Sequence, residues 1–281
     1  MDSSLSEWLS LREAADWAAR SHTVFERARA ALPARGPIRV LDLCTGSGSN
    51  LRYLMDRLPD GQDWLVIDRD QALLDELSVR LHAWLAGRRE LHCNVETRQM
   101  NLSTLEEGIF TGRHLVTASA LLDLVSEEWL RLLAARCRSV GAVALFTITY
   151  TGRSTCDPIE PEDDLVLELF NRHQKTDKGL GGPAAGPDAS AAAERAFTGA
   201  GYRVERAPSN WTIEPDARAF QRQLIDGWAG AASEIAPAQA GLIADWHSRR
   251  MAHVEAGRSR LVVHHDDLVA WNPEPEPGTE D

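Results

Sequence analysis

One stretch constrains this chain more than any other. Val40-Leu41-Asp42-Leu43-Cys44-Thr45-Gly46-Ser47-Gly48-Ser49-Asn50 takes an apolar strand into an acid, then a Gly-x-Gly turn, then the start of a helix. Glycine at 46 and 48 permits a tight turn and a close approach of the backbone to a ligand. The N–H groups at the helix start offer donors to an anionic group. Strand, tight turn and helix in that order make half of a βαβ unit, which belongs in a parallel sheet covered by helices.

The chain keeps that rhythm. Residues 38–43, 64–67, a run ending near Met100, 114–119 and 142–150 are apolar strands, and residues 50–58, 71–85 and 126–138 are helical. Strands interleaved with helices imply a three-layer α/β/α sandwich whose mostly parallel sheet is buried on both faces. Ahead of it, residues 5–32 are helical, with Leu5, Trp8, Leu9 and Ala15 as an apolar stripe. Arg12, Asp16 and Arg20 fall at helical spacing and read as a surface ladder of alternating charge. Residues 151–188 are rich in Pro and Gly, too irregular for sheet or long helix, and a loop of that length covers a site. A helix follows at 189–199, a strand at 202–206, two helices within 216–256 and a last strand at 260–264. The expected organisation is an N-terminal helical cap (1–37), an α/β domain (38–271) with substrate-side insertions at 151–188 and 215–257, and an acidic, Pro-rich tail (272–281) expected to be disordered.

Composition narrows the partners. A formal charge of −12, from 30 Lys+Arg against 42 Asp+Glu, repels phosphate backbones, and no basic stripe offsets it; nucleic acid is disfavoured. No apolar run approaches the ~20 residues that span a bilayer. The first residues lack a cationic segment ahead of an apolar stretch, so the expected location is the cytoplasm, with no membrane partner. Cys44, Cys93, Cys137 and Cys156 form no CxxC pair and read as reduced thiols rather than a zinc site or disulfide frame. No metal is expected.

The turn itself selects a ligand class. A pyrophosphate site would want a third glycine where Asn50 and Leu51 stand, and Asp42 would repel pyrophosphate. The acid suits a ligand carrying an ammonium and a sulfonium. In these residues the chain resembles the class I S-adenosylmethionine-dependent methyltransferases, in their bacterial small-molecule form. Their first motif is an apolar strand, an acid and x-G-x-G-x-G. Cys44 stands at the usual first glycine, where the turn is expected to keep φ negative. Trp64-Leu65-Val66-Ile67-Asp68-Arg69-Asp70 resembles the second motif, a strand ending in an acid that accepts from both ribose hydroxyls. Gln99-Met100-Asn101-Leu102 stands where the family meets the adenine, with Asn101 able to accept from the amine. Leu115 to Ala120 resembles the fourth strand and the loop at the methionine end.

The resemblance covers residues 38–150 well and 189–206 loosely. It implies S-adenosyl-L-methionine as cofactor and a seven-stranded sheet whose last strand is antiparallel, paired here from 202–206 and 260–264. It also implies cofactor contacts at Asp42, Cys44, Gly46, Gly48, Asn50, Asp68, Arg69, Asn101, Leu102 and Ser119. Asp42 and Asp68 are expected to grip the donor from its two ends.

The acceptor side says less. The loop after the fourth strand holds Leu121-Leu122-Asp123-Leu124 in place of an Asn-Pro-Pro-aromatic sequence, and no Pro-Cys pair is present, so base methylation is disfavoured and a small-molecule acceptor expected. Asp123 reads either as a base or orienting acid, or as an acid favourable to the helix starting at Ser126. Lys175 and Lys178 are the only lysines in the chain. With His173, and with Gly179 to Pro183 as a hinge, they read either as a catalytic loop or as a solvated charged one. Asp123, His173 and Lys175 are the catalytic candidates. Trp211, Trp228 and Trp246 read either as pocket walls or as core, and the helices of 216–256 either cover the acceptor or form a homodimer contact. The rivals to a methyltransferase are a non-catalytic S-adenosylmethionine-binding scaffold and a nicotinamide-dependent oxidoreductase, the latter opposed by Asp42 and the missing glycine.

Overall fold

Alternate side chains of Ile38–Leu43 (β1) point opposite ways, and both directions are dry. Leu41 and Leu43 enter one core while Ile38 and Val40 enter another. Each such buried aliphatic side chain contributes about 1.5–3 kcal/mol relative to exposure, so β1 is stable only inside a sheet with helices on both sides. The computed structural model describes residues 3–86, 88 and 91–273. Most of the tail expected to be disordered, residues 274–281, lies outside them.

Among the described residues the order is α1 (Ser3–Ala19), α2 (His22–Ala30), β1, α3 (Ser49–Met55), β2 (Gln62–Asp68), α4 (Gln71–Leu85), β3 (Cys93–Gln99), β4 (Leu115–Ser119), α5 (Glu127–Val140), β5 (Val143–Asp157), α6 (Asp163–Gln174), α7 (Ala189–Gly199), β6 (Arg203–Pro208), β7 (Trp211–Ile213), α8 (Arg218–Ile235), α9 (Ala240–Glu255) and β8 (Arg260–Trp271). The sheet runs β3-β2-β1-β4-β5-β8-β6, with the short β7 paired to β8 off that path. β3 through β5 are parallel, and β8 is antiparallel to β5, β6 and β7. The expected α/β sandwich with its antiparallel last strand is what forms. No described helix is long and apolar enough to cross a membrane.

The order reverses at β1, which pairs with β2 on one side and β4 on the other; a crevice opens at the carboxyl ends of such strands. Asp42 lies opposite Val66 of β2 and Thr117 of β4. On one face α5 and α7 pack Trp129, Leu130, Leu133 and Phe197. On the other, α2, α3 and α4 pack Val24, Phe25, Leu51, Leu54 and Leu77.

Three regions depart from expectation. The helical segment 5–32 breaks after Ala19, where Ser21 caps α2 by accepting from the Val24 N–H. Residues 151–188 are not mainly loop: β5 continues to Asp157, and residues 163–174 form a helix. The reason is a one-sided pattern. Beyond Tyr150 only alternate β5 residues turn inward, and α6 buries Val166 and Leu169 alone while Asp163 and Asp164 suit its first turn. β8 extends to Trp271, so its second half pairs with β6 while residues 261–263 pair with β7 and the β5 extension. Around that extension α6, α8 and α9 build a third core holding Trp211, Trp228 and Trp246. Arg250, fully buried, ties α9 to α6 through Asp163.

Candidate functional site

The turn after β1 is held from beneath. Asp42 is fully buried; its Oδ2 accepts from the Thr45 hydroxyl at 2.7 Å and its Oδ1 from the Asn50 amide at 2.6 Å. Burial pushes its carboxyl up to about 6, against the pull of those two hydrogen bonds and of Arg20. Asn50 also donates to the Thr117 hydroxyl at 3.2 Å and accepts from Arg20 at 2.7 Å. Asp42 therefore organises the turn from behind it and is not a wall of the cleft above. Arg20, expected on the surface beside Asp16, is buried, with its guanidinium 4.3 Å from the centre of the Tyr53 ring. Asp16 pairs instead with Arg12 at 2.9 Å and accepts from the Trp211 indole at 2.9 Å.

Backbone geometry at the turn is left-handed at Gly46 (φ 57°) and Gly48 (φ 82°). It is left-handed also at Cys44 (φ 51°), contrary to the expected negative φ. A non-glycine residue there is strained by roughly 1–2 kcal/mol. Ala120, just past β4, shares that conformation (φ 52°). Both line the same cleft, and strain of this kind persists where the surrounding structure holds a site in place.

That cleft has a volume of about 430 Å³. Its base is Cys44, Gly46 and Asp68; its sides are Arg69, Leu73, Met100, Asn101 and Leu102 on one hand and Ser119, Ala120, Leu121 and Leu124 on the other. Leu5, Trp8, Leu9 and Arg12 of α1 cover it, and Lys178 and Leu180 close the far side. A recess of about 40 Å³ shares Leu9, Arg12, Cys44, Gly46 and Ser119 with it and adds Asp16, Thr45, Ser47, Ser49 and Asn50.

Most of the residues expected at a cofactor converge here. Asp68 lines the cleft; Oδ2 accepts the Gly46 N–H at 2.9 Å and Oδ1 the Asp70 N–H at 3.0 Å. Gly48 starts α3, and a Cβ on it would stand 2.8 Å from Leu77, so the glycine sets how closely α3 approaches α4. Asn101 is exposed and its side-chain oxygen accepts the Ser103 N–H at 2.8 Å. Ser119 lines both cavities, and its buried hydroxyl has no hydrogen-bond partner. The Cys44 thiol is pushed up to about 12 by burial and by Asp68 and Asp42, which leaves it protonated and unreactive.

The catalytic candidates do not converge. Asp123 is buried and does not line the cleft, although its neighbours Leu121 and Leu124 do. Burial raises its carboxyl to about 6, and Oδ1 has no partner. His173 contacts Glu234 at 3.1 Å outside the cleft, and Lys175 is exposed and paired with Asp188 at 2.8 Å. Of that segment only Lys178 and Leu180 reach the cleft. The expected hinge is tied down: Ser126 N–H donates to the Leu180 carbonyl at 3.2 Å and Ala185 N–H to the Val125 carbonyl at 2.7 Å. No residue of 215–257 lines the cleft, and the three tryptophans lie in the core. The cover from α1 went unassigned from sequence. Its signal was the Leu5-Trp8-Leu9 stripe, which marks a face to be buried without saying against what.

No protein-family model matches the chain, and no curated protein does. Among solved structures it is similar to the cyclopropane synthase MmaA2 of Mycobacterium tuberculosis, at 11% identity over 87% of this chain and 82% of that one, with a TM-score of 0.46. It is similar also to the YcgJ protein of Bacillus subtilis, at 13% identity over 90% of this chain and 99% of that one, TM-score 0.46. A third is phosphoethanolamine N-methyltransferase 2 of Haemonchus contortus in complex with S-adenosyl-L-methionine, at 12% identity over 90% of this chain and 52% of that one, TM-score 0.47. Likenesses this distant assign no activity, which has to be argued from the cleft itself.

Proposed function

We propose that the chain is an S-adenosylmethionine-dependent methyltransferase acting on a small molecule. The observation that carries the reading is Asp68. It closes β2 inside the cleft, and each of its oxygens accepts one backbone N–H. A carboxylate has about four acceptor positions, so one on each oxygen remains for the paired hydroxyls of a ribose.

The other walls fit the rest of such a ligand. Leu73, Met100 and Leu102 offer apolar surface to a flat base, with Asn101 at the edge. The recess carries the Arg12–Asp16 ion pair, a cation and an anion that could exchange partners with the two charges of an amino-acid end, and Ser119, whose buried hydroxyl has no hydrogen-bond partner, lines the same space. The cleft volume lies in the range of about 300–1,000 Å³ common for small-molecule sites.

S-adenosylmethionine, when bound, would supply a methyl group on its sulfonium sulfur, whose carbon is open to in-line displacement by a nucleophile with neutral S-adenosylhomocysteine as the leaving group. The residues of this chain hold and shield. Asp68 fixes the ribose, the turn over Asp42 sets the height of the floor, and Trp8 and Leu9 exclude water from above. Positioning of this kind is the larger part of what such a transfer requires. Titration calorimetry with S-adenosylhomocysteine tests the reading: saturable binding that Asp68→Ala weakens is expected, and failure of both donor and demethylated product to bind overturns it.

A further inference from the structure

The cleft is lined by three cations, Arg12, Arg69 and Lys178, and one carboxylate, Asp68. Arg12 is paired with Asp16 at 2.9 Å, and Arg69 is exposed at the end of β2. Lys178 is half-buried in the wall, and among the described residues it forms no ion pair. Its ammonium donates to neutral acceptors, the His173 carbonyl at 3.1 Å and the Thr176 hydroxyl at 2.9 Å, and lies 3.4 Å from His173 Nδ1. Lys175, three residues earlier, does have its carboxylate.

Lys178 is also held in place. The His173 ring spans Lys178 and Glu234, its Nε2 being 3.1 Å from the Glu234 carboxylate. The following loop is pinned through Leu180 and Ala185, and Gly181 lies where a Cβ would stand 2.8 Å from the Ser126 hydroxyl oxygen. Burial lowers the ammonium from its ordinary value, while Glu234 and then Asp123 oppose that at longer range. A half-buried, oriented, unpaired cation on a cavity wall costs free energy until an anion meets it. The cleft it lines also presents apolar surface from Leu5, Trp8, Leu124 and Leu180.

We propose that the acceptor is a small molecule with an apolar body and a carboxylate, and that Lys178 binds that carboxylate. This rests on the methyltransferase reading and names its substrate class. A sulfonium in the same cleft adds a second positive charge near Lys178, and an anionic acceptor offsets both in a low-dielectric space. One ammonium suits a single negative charge; a phosphate dianion favours bidentate arginine, and of the cleft's arginines Arg12 is taken by Asp16 while Arg69 is exposed. His173 is a positioning residue in this scheme, since it touches Lys178 and not the cleft.

The test uses the full chain saturated with S-adenosylhomocysteine. Calorimetric affinities are compared for phenylacetate against phenylacetamide, for hexanoate against hexanamide, and for phenyl phosphate. At least about ten-fold tighter binding of each acid than of its amide is expected. That preference should vanish in Lys178→Gln and persist in Lys175→Gln, with S-adenosylhomocysteine affinity unchanged in Lys178→Gln. Equal binding of acid and amide, no binding of either acid, a preference that survives Lys178→Gln, or stronger binding of phenyl phosphate than of both acids overturns the proposal. So does loss of S-adenosylhomocysteine binding in Lys178→Gln, which would move Lys178 to the donor's site. Failure of the wild-type chain to bind S-adenosylhomocysteine at all sinks the methyltransferase reading instead, so the two failures are separable.

Discussion

Asp68 holds Gly46: the carboxylate that closes β2 accepts, at 2.9 Å, the backbone N–H in the middle of the turn that follows β1. Two adjacent parallel strands are thereby locked at their carboxyl ends, and a residue that lines the cleft also shapes the loop beneath it. A side chain at Gly46 would meet a left-handed φ of 57° and a tight contact, since a Cβ would stand 3.2 Å from the Leu9 side chain in the cover. Floor and cover meet at one residue.

Asp68→Ala is expected to act on both functions. Losing hydrogen bonds to a charged group costs about 1.5–3 kcal/mol, which corresponds to a ten- to hundred-fold weaker S-adenosylhomocysteine affinity. The Gly46 N–H, left without its acceptor, costs a further ~1–3 kcal/mol of folding stability. Calorimetry and urea unfolding read the two separately. A variant that binds as tightly as wild type would remove Asp68 from the site.

How much of this was legible in the sequence depends on where the cause lies. The frame from Ile38 to Tyr150 is legible because its cause is local: apolar runs bounded by Gly46, Gly48 and a capping Ser126 carry their own periodicity. The second acid is legible too, because β2 is short and Asp68 ends it. Asp42 misleads, because identity at a strand end does not say on which side of the turn the side chain lies. Asn50 and Thr45 decide that by taking both its oxygens. Lys175 and Lys178 look alike in sequence, and the structure separates them: Lys175 is exposed and pairs with Asp188, while Lys178 lines the cleft. The cover from α1 and the helix at 163–174 depend on long-range packing, to which a one-sided apolar pattern gives no address.

Gly48→Ala tests the turn without touching a polar group. Its φ of 82° disfavours any side chain, and the added methyl would stand 2.8 Å from Leu77 Cγ. The left-handed backbone costs about 1–2 kcal/mol and overpacking typically a further 1–3. A loss of roughly 2–5 kcal/mol in urea unfolding is expected, together with weaker S-adenosylhomocysteine binding as α3 is pushed from α4. A change under 0.5 kcal/mol would contradict the crowding.

Asp123→Asn should make the protein more stable, and by an amount that depends on pH. The buried carboxyl titrates at about 6 in the folded chain against an ordinary 3.8, so the folded state binds the proton more tightly. Its contribution is fully present below pH 3.8 and is lost as pH rises to about 6 and above. The full difference corresponds to about 3 kcal/mol. An amide of the same shape does not titrate. The variant should match wild type near pH 4 and exceed it by about 1–3 kcal/mol at pH 8, read by urea unfolding across that range. Asp42 is a poorer probe although it too is raised to about 6. Thr45 and Asn50 both donate to it, so an asparagine there would set one donor against another. An advantage for Asp123→Asn that is flat in pH, or that grows toward acid, would contradict the assignment.

Ser119→Ala separates a group kept for a ligand from one kept for the fold. Ser119, at the end of β4, lines both cavities, and its buried hydroxyl has no hydrogen-bond partner. A buried polar group left unsatisfied costs about 1–3 kcal/mol, so removing it should leave stability unchanged or raise it by about 1 kcal/mol. Were the hydroxyl only structural, nothing further would change. If it completes its hydrogen bonds on a bound nucleoside amino acid, S-adenosylhomocysteine affinity should fall by about three- to ten-fold, the equivalent of a neutral hydrogen bond of about 0.5–1.5 kcal/mol. Greater stability with weaker binding, in one variant at one pH, is an outcome that simple damage to the fold cannot produce. Lower stability with unchanged affinity would return Ser119 to the core.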